Sequence, residues 1–303
     1  MTAKKNPAAS VKQRLLNLGR KSGEDFRQLL TRYAIERLLF RLAGSEHADD
    51  FVLNGAMLFA LWTGEMHRPT RDVDLLGHGE NSDARRAAVF RDLCAGESGD
   101  DGLAFDAGSV SVEQIREEDD CGGRRVTFAV RLGQARVSLQ VDVGFGDAVT
   151  PAAEVVEYPS LLGMETPRLR AYPKEAVVAE KVEAMVKLGL ANTRMKDFYD
   201  LLVLSRTFTF DGALVRAAIA ATFRRRGTAI PTESPVALTD TFATDNGKRK
   251  QWKAFVRRSG LEEKVGELDD VVAELVQFVL PPLLAAGGGE SFDETWPTNG
   301  PWC

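Results

Sequence analysis

Cysteine is scarce in this chain. Three occur in 303 residues, and Cys94, Cys121 and Cys303 lie too far apart for a disulfide framework or a CxxC metal site. That usage fits a reducing compartment, so a cytoplasmic protein is expected. No apolar run approaches the about 20 residues of a membrane span, and no membrane partner is expected. The first residues, MTAKKNPAASVKQRLL, hold two lysines but no apolar core and no cleavage site. They read as a short unstructured lead rather than a secretory signal. Histidine is equally rare. His47 and His78 have no neighbour that suggests a site, and His67, close to a turn, is expected to be exposed. A formal net charge of −5 excludes a general nucleic-acid coat but leaves room for a local basic face. What remains is an ordinary globular composition, 44% apolar and 27% charged, long enough for one large domain or two.

The hydrophobic period changes along the chain. Residues 10–43 repeat apolar side chains at three and four spacings, among them Leu15, Leu18, Phe26, Leu29, Leu30, Tyr33, Leu38 and Leu39, which predicts helix. Ser22-Gly23-Glu24-Asp25 breaks that run, with Ser22 read as the cap of the second helix. Phe51-Val52-Leu53 reads as a strand, Gly55 as a turn, Ala56–Trp62 as a helix and 72–76 as a strand. Ser82–Leu93 is predicted helical. Residues 123–131 and 135–145 alternate and flank Leu132-Gly133-Gln134, the pattern of an antiparallel hairpin. Beyond about Tyr158 the strands largely stop. Helices are expected over Lys174–Leu190, Lys196–Arg206, Gly212–Arg225 and Asp269–Leu284, followed by a Gly/Pro/aromatic tail. These patterns predict an α/β (α+β) part over 1–158 and a mostly helical part over 159–303, with a groove between them as the natural place for a site.

RPTRDVDLLG (68–77) carries the most chemistry. Residues i and i+2 of a strand share a face, so Asp72 and Asp74 project together while Val73 and Leu75 face the core. Two neighbouring carboxylates repel unless a cation accompanies them. Oxygen-rich sites of this kind suit Mg²⁺, which also binds substrate phosphates. Asp142 supplies a third candidate ligand. It lies on an alternating strand with Gln140 and Gly144 on one face and Leu139, Val141 and Val143 on the other. A solvated turn or a helix cap is the other reading of a bare Asp-x-Asp.

The segment AEKVEAMVKLGLANTRMKDFYDLLVL (179–204) adds Lys181 on one helix and Asp197 and Asp200 on the next. By spacing alone these residues make ion pairs that brace a helix hairpin.

Taken together, VLNGAMLFALWTGEMHRPTRDVDLLG (52–77), VDVGFGD (141–147) and 179–204 resemble the AbiEii-like nucleotidyltransferases. These are toxins of abortive-infection, or type IV and MenAT-type, toxin–antitoxin pairs. The helical segment is the most specific, matching a Glu-Lys…Arg-x-(Lys/Arg)-Asp-x-x-Asp-Leu pattern. The resemblance implies a polymerase-β-like nucleotidyltransferase fold with a mixed sheet. It implies an NTP substrate, Mg²⁺ or Mn²⁺ held by Asp72, Asp74 and Asp142, and catalytic roles for Asp72, Asp74, Lys181 and Asp197. Gly55, Ala56, Arg71 and Lys181 would meet the nucleotide. Asp197 would act as a base or orient a group, and Asp200 would brace the helices. Many relatives carry Gly-Ser where this chain has Gly55-Ala56, so the phosphate would be met by backbone amides without the hydroxyl. Arg68 and Arg71 could meet phosphates or be solvated.

The resemblance also implies an acceptor, RNA and in particular the tRNA 3′ end, and a cognate antitoxin. Between Arg206 and Lys264, twelve Lys/Arg stand against six Asp/Glu, with Phe223, Trp252 and Phe255 interleaved. Such a segment can follow a phosphate backbone, with the aromatics either stacking on bases or sitting in the core.

Overall fold

In the computed structural model, which describes residues 6–96, 100–115 and 122–303, the chain forms two units. The first comprises Met1–Gly146 with Glu154–Ala171, the second Asp147–Ala153 with Tyr172–Cys303. Cys121 lies outside the described residues.

The first unit begins with two helices, α1 (Pro7–Ser22) and α2 (Phe26–Ala43). Helix starts earlier than the sequence reading placed it, because the Asn6 side chain caps the Ala9 amide and Pro7 fits the first turn. Ser22 is not the cap of the second helix. Gly23 adopts φ 76° and ends α1, so Ser22 stays inside that helix. The cap of α2 is Asp25, extended at φ −64° and ψ 137°, whose carboxylate accepts from the Arg27 and Gln28 amides.

There follow β1 (Phe51–Asn54), α3 (Met57–Thr63), β2 (Asp72–Gly77), α4 (Asp83–Ala95), β3 (Leu103–Phe105), β4 (Ser111–Gln114), β5 (Arg124–Leu132), β6 (Ala135–Phe145), β7 (Glu154–Glu157) and β8 (Arg168–Ala171). They make a mixed sheet in the order β3-β5-β6-β2-β1-β8-β7, with β4 also paired to β5. β1 and β2 run antiparallel, β2 and β6 parallel, and β5 and β6 form the expected hairpin. Its loop is shorter than read, only Gly133-Gln134, with Leu132 pairing Ala135. Strands also continue past Tyr158: β8 joins the sheet beside β1 and pairs with β7. Its four residues, Arg-Leu-Arg-Ala, alternate too briefly to announce a strand.

Val73, Leu75, Leu139, Val141 and Val143 are all buried, the core face that their alternation predicts. Each such burial stabilises by roughly 1.5–3 kcal/mol. It also holds the opposite face, with its acidic residues, in register.

The second unit contains α5 (Lys174–Leu188), α6 (Met195–Thr207), β9 (Phe210–Asp211), α7 (Gly212–Arg226), α8 (Asp240–Ala243), α9 (Asn246–Ser259), α10 (Leu268–Gly288) and β10 (Thr295–Trp296). The tail is packed. β10 pairs antiparallel with β9, Trp296 Nε1 donates to Ser205 O at 2.7 Å, and Trp302 stacks on Phe278. One expectation is corrected here. α10 is 21 residues long and holds an 18-residue window with a mean hydropathy of 1.6, enough by length and composition to cross a membrane. Leu275, Phe278, Val279 and Leu283 are nonetheless buried, and the helix packs on α6 and α7. That makes it a core helix of this unit.

Candidate active site

β2 and β6 run side by side with Asp72 opposite Gln140 and Asp74 opposite Asp142. A carboxylate oxygen from each of Asp72, Asp74 and Asp142 lies within 4.8 Å of the others, and all three residues are half-buried. Parallel pairing thus converts a two-residue motif and a distant single aspartate into one cluster. Thr70 Oγ1 donates to Asp72 Oδ1 at 2.5 Å and fixes that side chain. Three oxygen donors at this separation fit a hard divalent cation such as Mg²⁺.

β1 contributes the floor. Asn54 stands opposite Asp74, and the next residue, Gly55, turns at φ 75°. Its amide donates to Asn54 Oδ1 at 2.6 Å. The turn leaves no room for a side chain on the Asp74 side. Ala56, buried, caps α3 in helical conformation. Arg71 is exposed just before β2.

Sequence reasoning missed Arg125. Its Nε and Nη2 donate to Asp142 Oδ1 and Oδ2 at 2.9 and 2.8 Å, a two-pronged pair, and Gln140 Nε2 lies 3.2 Å from both oxygens. The bond to Asp142 raises the guanidinium pKa still further above its usual value. A signal was present. Once the turn is placed at Gly133-Gln134, counting back along both strands puts Arg125 opposite Asp142.

In the second unit, Lys181 on α5 reaches two carboxylates of α6. Its Nζ donates to Asp197 Oδ1 at 2.8 Å and to Asp200 Oδ2 at 2.9 Å. Arg194 Nε lies 2.7 Å from the other Asp197 oxygen. Asp197 is fully buried. Burial would raise its pKa, but Lys181 and then Arg194 outweigh that and hold it below the ordinary carboxylate value. Lys181 reaches both carboxylates because Asp197 and Asp200 share one helix face.

The family described as "Nucleotidyl transferase AbiEii toxin, Type IV TA system" matches residues 37–274. The chain belongs to the AbiEii nucleotidyltransferase toxin family. The match spans Gly55, the three clustered aspartates, Arg125 and the Lys181 cluster. No curated protein matches the sequence. Among solved structures, the chain is similar in fold to JHP933 from Helicobacter pylori, at 13% identity and a TM-score of 0.50, over 86% of this chain and 90% of that one. A second H. pylori chain, assigned as a nucleotidyltransferase, also shares 13% identity with a TM-score of 0.50, over 88% of this chain and 95% of that one. This AbiEii-family chain therefore has a nucleotidyltransferase fold and is a toxin-like nucleotidyltransferase.

Other residues of this family member divide differently from the reading of their types. In the basic segment, Phe223 and Trp252 are core residues and Phe255 packs on Trp252 and Tyr199. Arg206 pairs with Glu274, Arg249 with Asp269 and Lys253 with Glu267. Arg226 holds Asp147 and Glu183, and Lys248 is buried on the Asn192 carbonyl. Arg224, Lys250, Arg257 and Arg258 stay exposed. His67 is half-buried rather than exposed, edge-on to Phe59 and 3.1 Å from Thr63 Oγ1. His47 has a partner after all. It is buried, with Nε2 4.0 Å from its exposed chain neighbour Glu46 and 3.3 Å from Asp92 of α4, which packs against α2.

Proposed function

We propose that this chain transfers a nucleoside monophosphate from an NTP to RNA, at the tRNA 3′ end, and so blocks translation. The observation that carries this reading is the cluster of Asp72, Asp74 and Asp142 within 4.8 Å on paired strands. These residues would hold Mg²⁺ or Mn²⁺. The cation, when bound, supplies positive charge that activates the acceptor hydroxyl and steadies the departing pyrophosphate. In the reaction the hydroxyl oxygen bonds to the α-phosphorus in line, the bond to pyrophosphate breaks, and the hydroxyl proton leaves to solvent or a base.

The protein's own groups do the positioning. Gly55 keeps the Asp74 carboxylate in place and, with Ala56, offers backbone amides to phosphate. Arg71, exposed beside β2, is assigned to the nucleotide. Lys181, held between two carboxylates, is assigned to its phosphates. Asp197 orients Lys181 rather than accepting a proton, since its depressed pKa makes it a weak base near neutral pH. The exposed Arg224, Lys250, Arg257 and Arg258 support an RNA acceptor, on a narrower basic surface than composition suggested. A cytoplasmic setting and a cognate antitoxin complete the reading, the latter in keeping with a type IV toxin–antitoxin family.

The test is label transfer. The protein is incubated with total tRNA, a protein mixture and each of four α-labelled NTPs in turn. Labelled tRNA that disappears with Asp72→Ala supports the proposal. Label in protein alone moves the acceptor to protein, and no label anywhere favours a nucleotide-binding module without catalysis.

A further inference from the structure

We propose that Arg125 is a latch on the third carboxylate. Without nucleotide its guanidinium holds Asp142. The incoming triphosphate draws it off and so frees Asp142 to join Asp72 and Asp74. This rests on the reading of those three residues as a cation site.

The geometry carries the first step. Both Asp142 oxygens accept from one guanidinium, at 2.9 and 2.8 Å, and Gln140 stands 3.2 Å from each. With the guanidinium on both oxygens and Gln140 close to each, most of the carboxylate's lone-pair sites are taken, so a cation at about 2.1 Å competes with that pairing. Charge carries the second. Three clustered carboxylates need a cation nearby, and Arg125 supplies one, acting on Asp72 as well as Asp142. Once divalent cations arrive, the same guanidinium is repelled. The third step follows from arginine's shape. Its planar fork fits a phosphate as well as it fits a carboxylate. The Arg125 side chain is 35% exposed, against 18% for Asp142, so it can turn outward while β5 and β6 stay paired. A polyphosphate is thus the ligand whose arrival removes the latch and supplies it with a new partner.

The test counts bound Mn²⁺ by calorimetry and electron paramagnetic resonance on the full chain. It is run with and without an NTP analogue bearing a methylene group between the α and β phosphates, with the analogue alone as a blank. Wild type should bind one ion alone and two with the analogue. Arg125→Gln should bind the second ion, or bind Mn²⁺ about tenfold more tightly, without the analogue. Arg125→Lys separates the bond from the charge. It keeps the charge and lacks the fork, so it should still gain about threefold. If Arg125→Gln tightens binding and Arg125→Lys matches wild type, the effect is charge through space and the latch is overturned. Two ions on wild type without nucleotide overturn it too, leaving the cation site intact. If no protein binds Mn²⁺ under either condition, the cation reading itself fails and takes the latch with it. Circular dichroism checks folding, and Arg125→Lys carries the comparison should Arg125→Gln not fold.

Discussion

The carboxylate of Asp74 fills the space that a side chain on Gly55 would need. A β-carbon there would stand 1.9 Å from Asp74 Oδ2 and 2.6 Å from its Cγ. Gly55 also has φ 75°, a conformation that other residues adopt at a cost. Gly55→Ala should therefore move Asp74 while the hydrophobic faces of β1 and β2 stay buried. Nucleotide transfer should fall on the order of 100-fold, the scale of a misplacement near 1 Å. The far-UV circular dichroism should be unchanged. Wild-type activity in Gly55→Ala would show that Asp74 does not need its present position.

Removing Lys181 takes a cation away from two buried carboxylates. Asp197 and Asp200 are almost fully buried and both pair with it. Lys181→Ala should destabilise the protein by about 3–5 kcal/mol, the usual scale for removing one partner of a buried ion pair. Urea denaturation measures this. A loss within 0.5 kcal/mol, about the scale of an exposed pair, would mean the cluster is solvated.

Acid should reveal the same cluster. The Asp197 pKa is depressed in the folded protein by Lys181 and Arg194, against the upward pull of burial. The folded state therefore binds this proton less readily than the unfolded chain. Its contribution is fully present above the unfolded value of about 3.9 and is lost as pH falls through the lower folded value. The stability gap between wild type and Asp197→Asn should be flat above about pH 5 and shrink only below about pH 4. A gap that closes between pH 5 and 7 would contradict the depressed value.

The thiols should differ sharply. Cys94 is buried, and burial pushes its pKa up to about 12, so it holds little thiolate at neutral pH. Cys303 is exposed. Peptide mapping after brief iodoacetamide treatment should find Cys303 modified and Cys94 intact until urea is added. Equal labelling of both in the native protein would show that α4 opens readily.

Much of the candidate site was legible because strand chemistry has a period of two. Asp72 and Asp74 alternating with Val73 and Leu75 declare both a buried face and an acidic one. Asp142 declares the same on β6, and Lys181, Asp197 and Asp200 repeat the logic at helical spacing. Ser22 was misassigned because serine and aspartate both cap helices. Only the left-handed turn at Gly23 decides between them. β8 stayed hidden because four residues hold too little alternation, and its place is set by pairing with β1 and β7. The basic segment looked freer than it is, since acidic partners such as Glu274 lie far away in the chain.

By itself the sequence determined which faces are apolar and where carboxylates interrupt them, because burial and alternation are local properties. It also determined the hairpin, through Gly133 and the alternation on either side. Only tertiary structure decided which strands lie together. The parallel pairing of β2 with β6 sets Asp74 opposite Asp142, and strand pairing across such a separation leaves no local trace. Tertiary structure also decided that Asp142 is already engaged by Arg125, and that Lys181 is shared between Asp197 and Asp200. Those partnerships follow from where backbones are held.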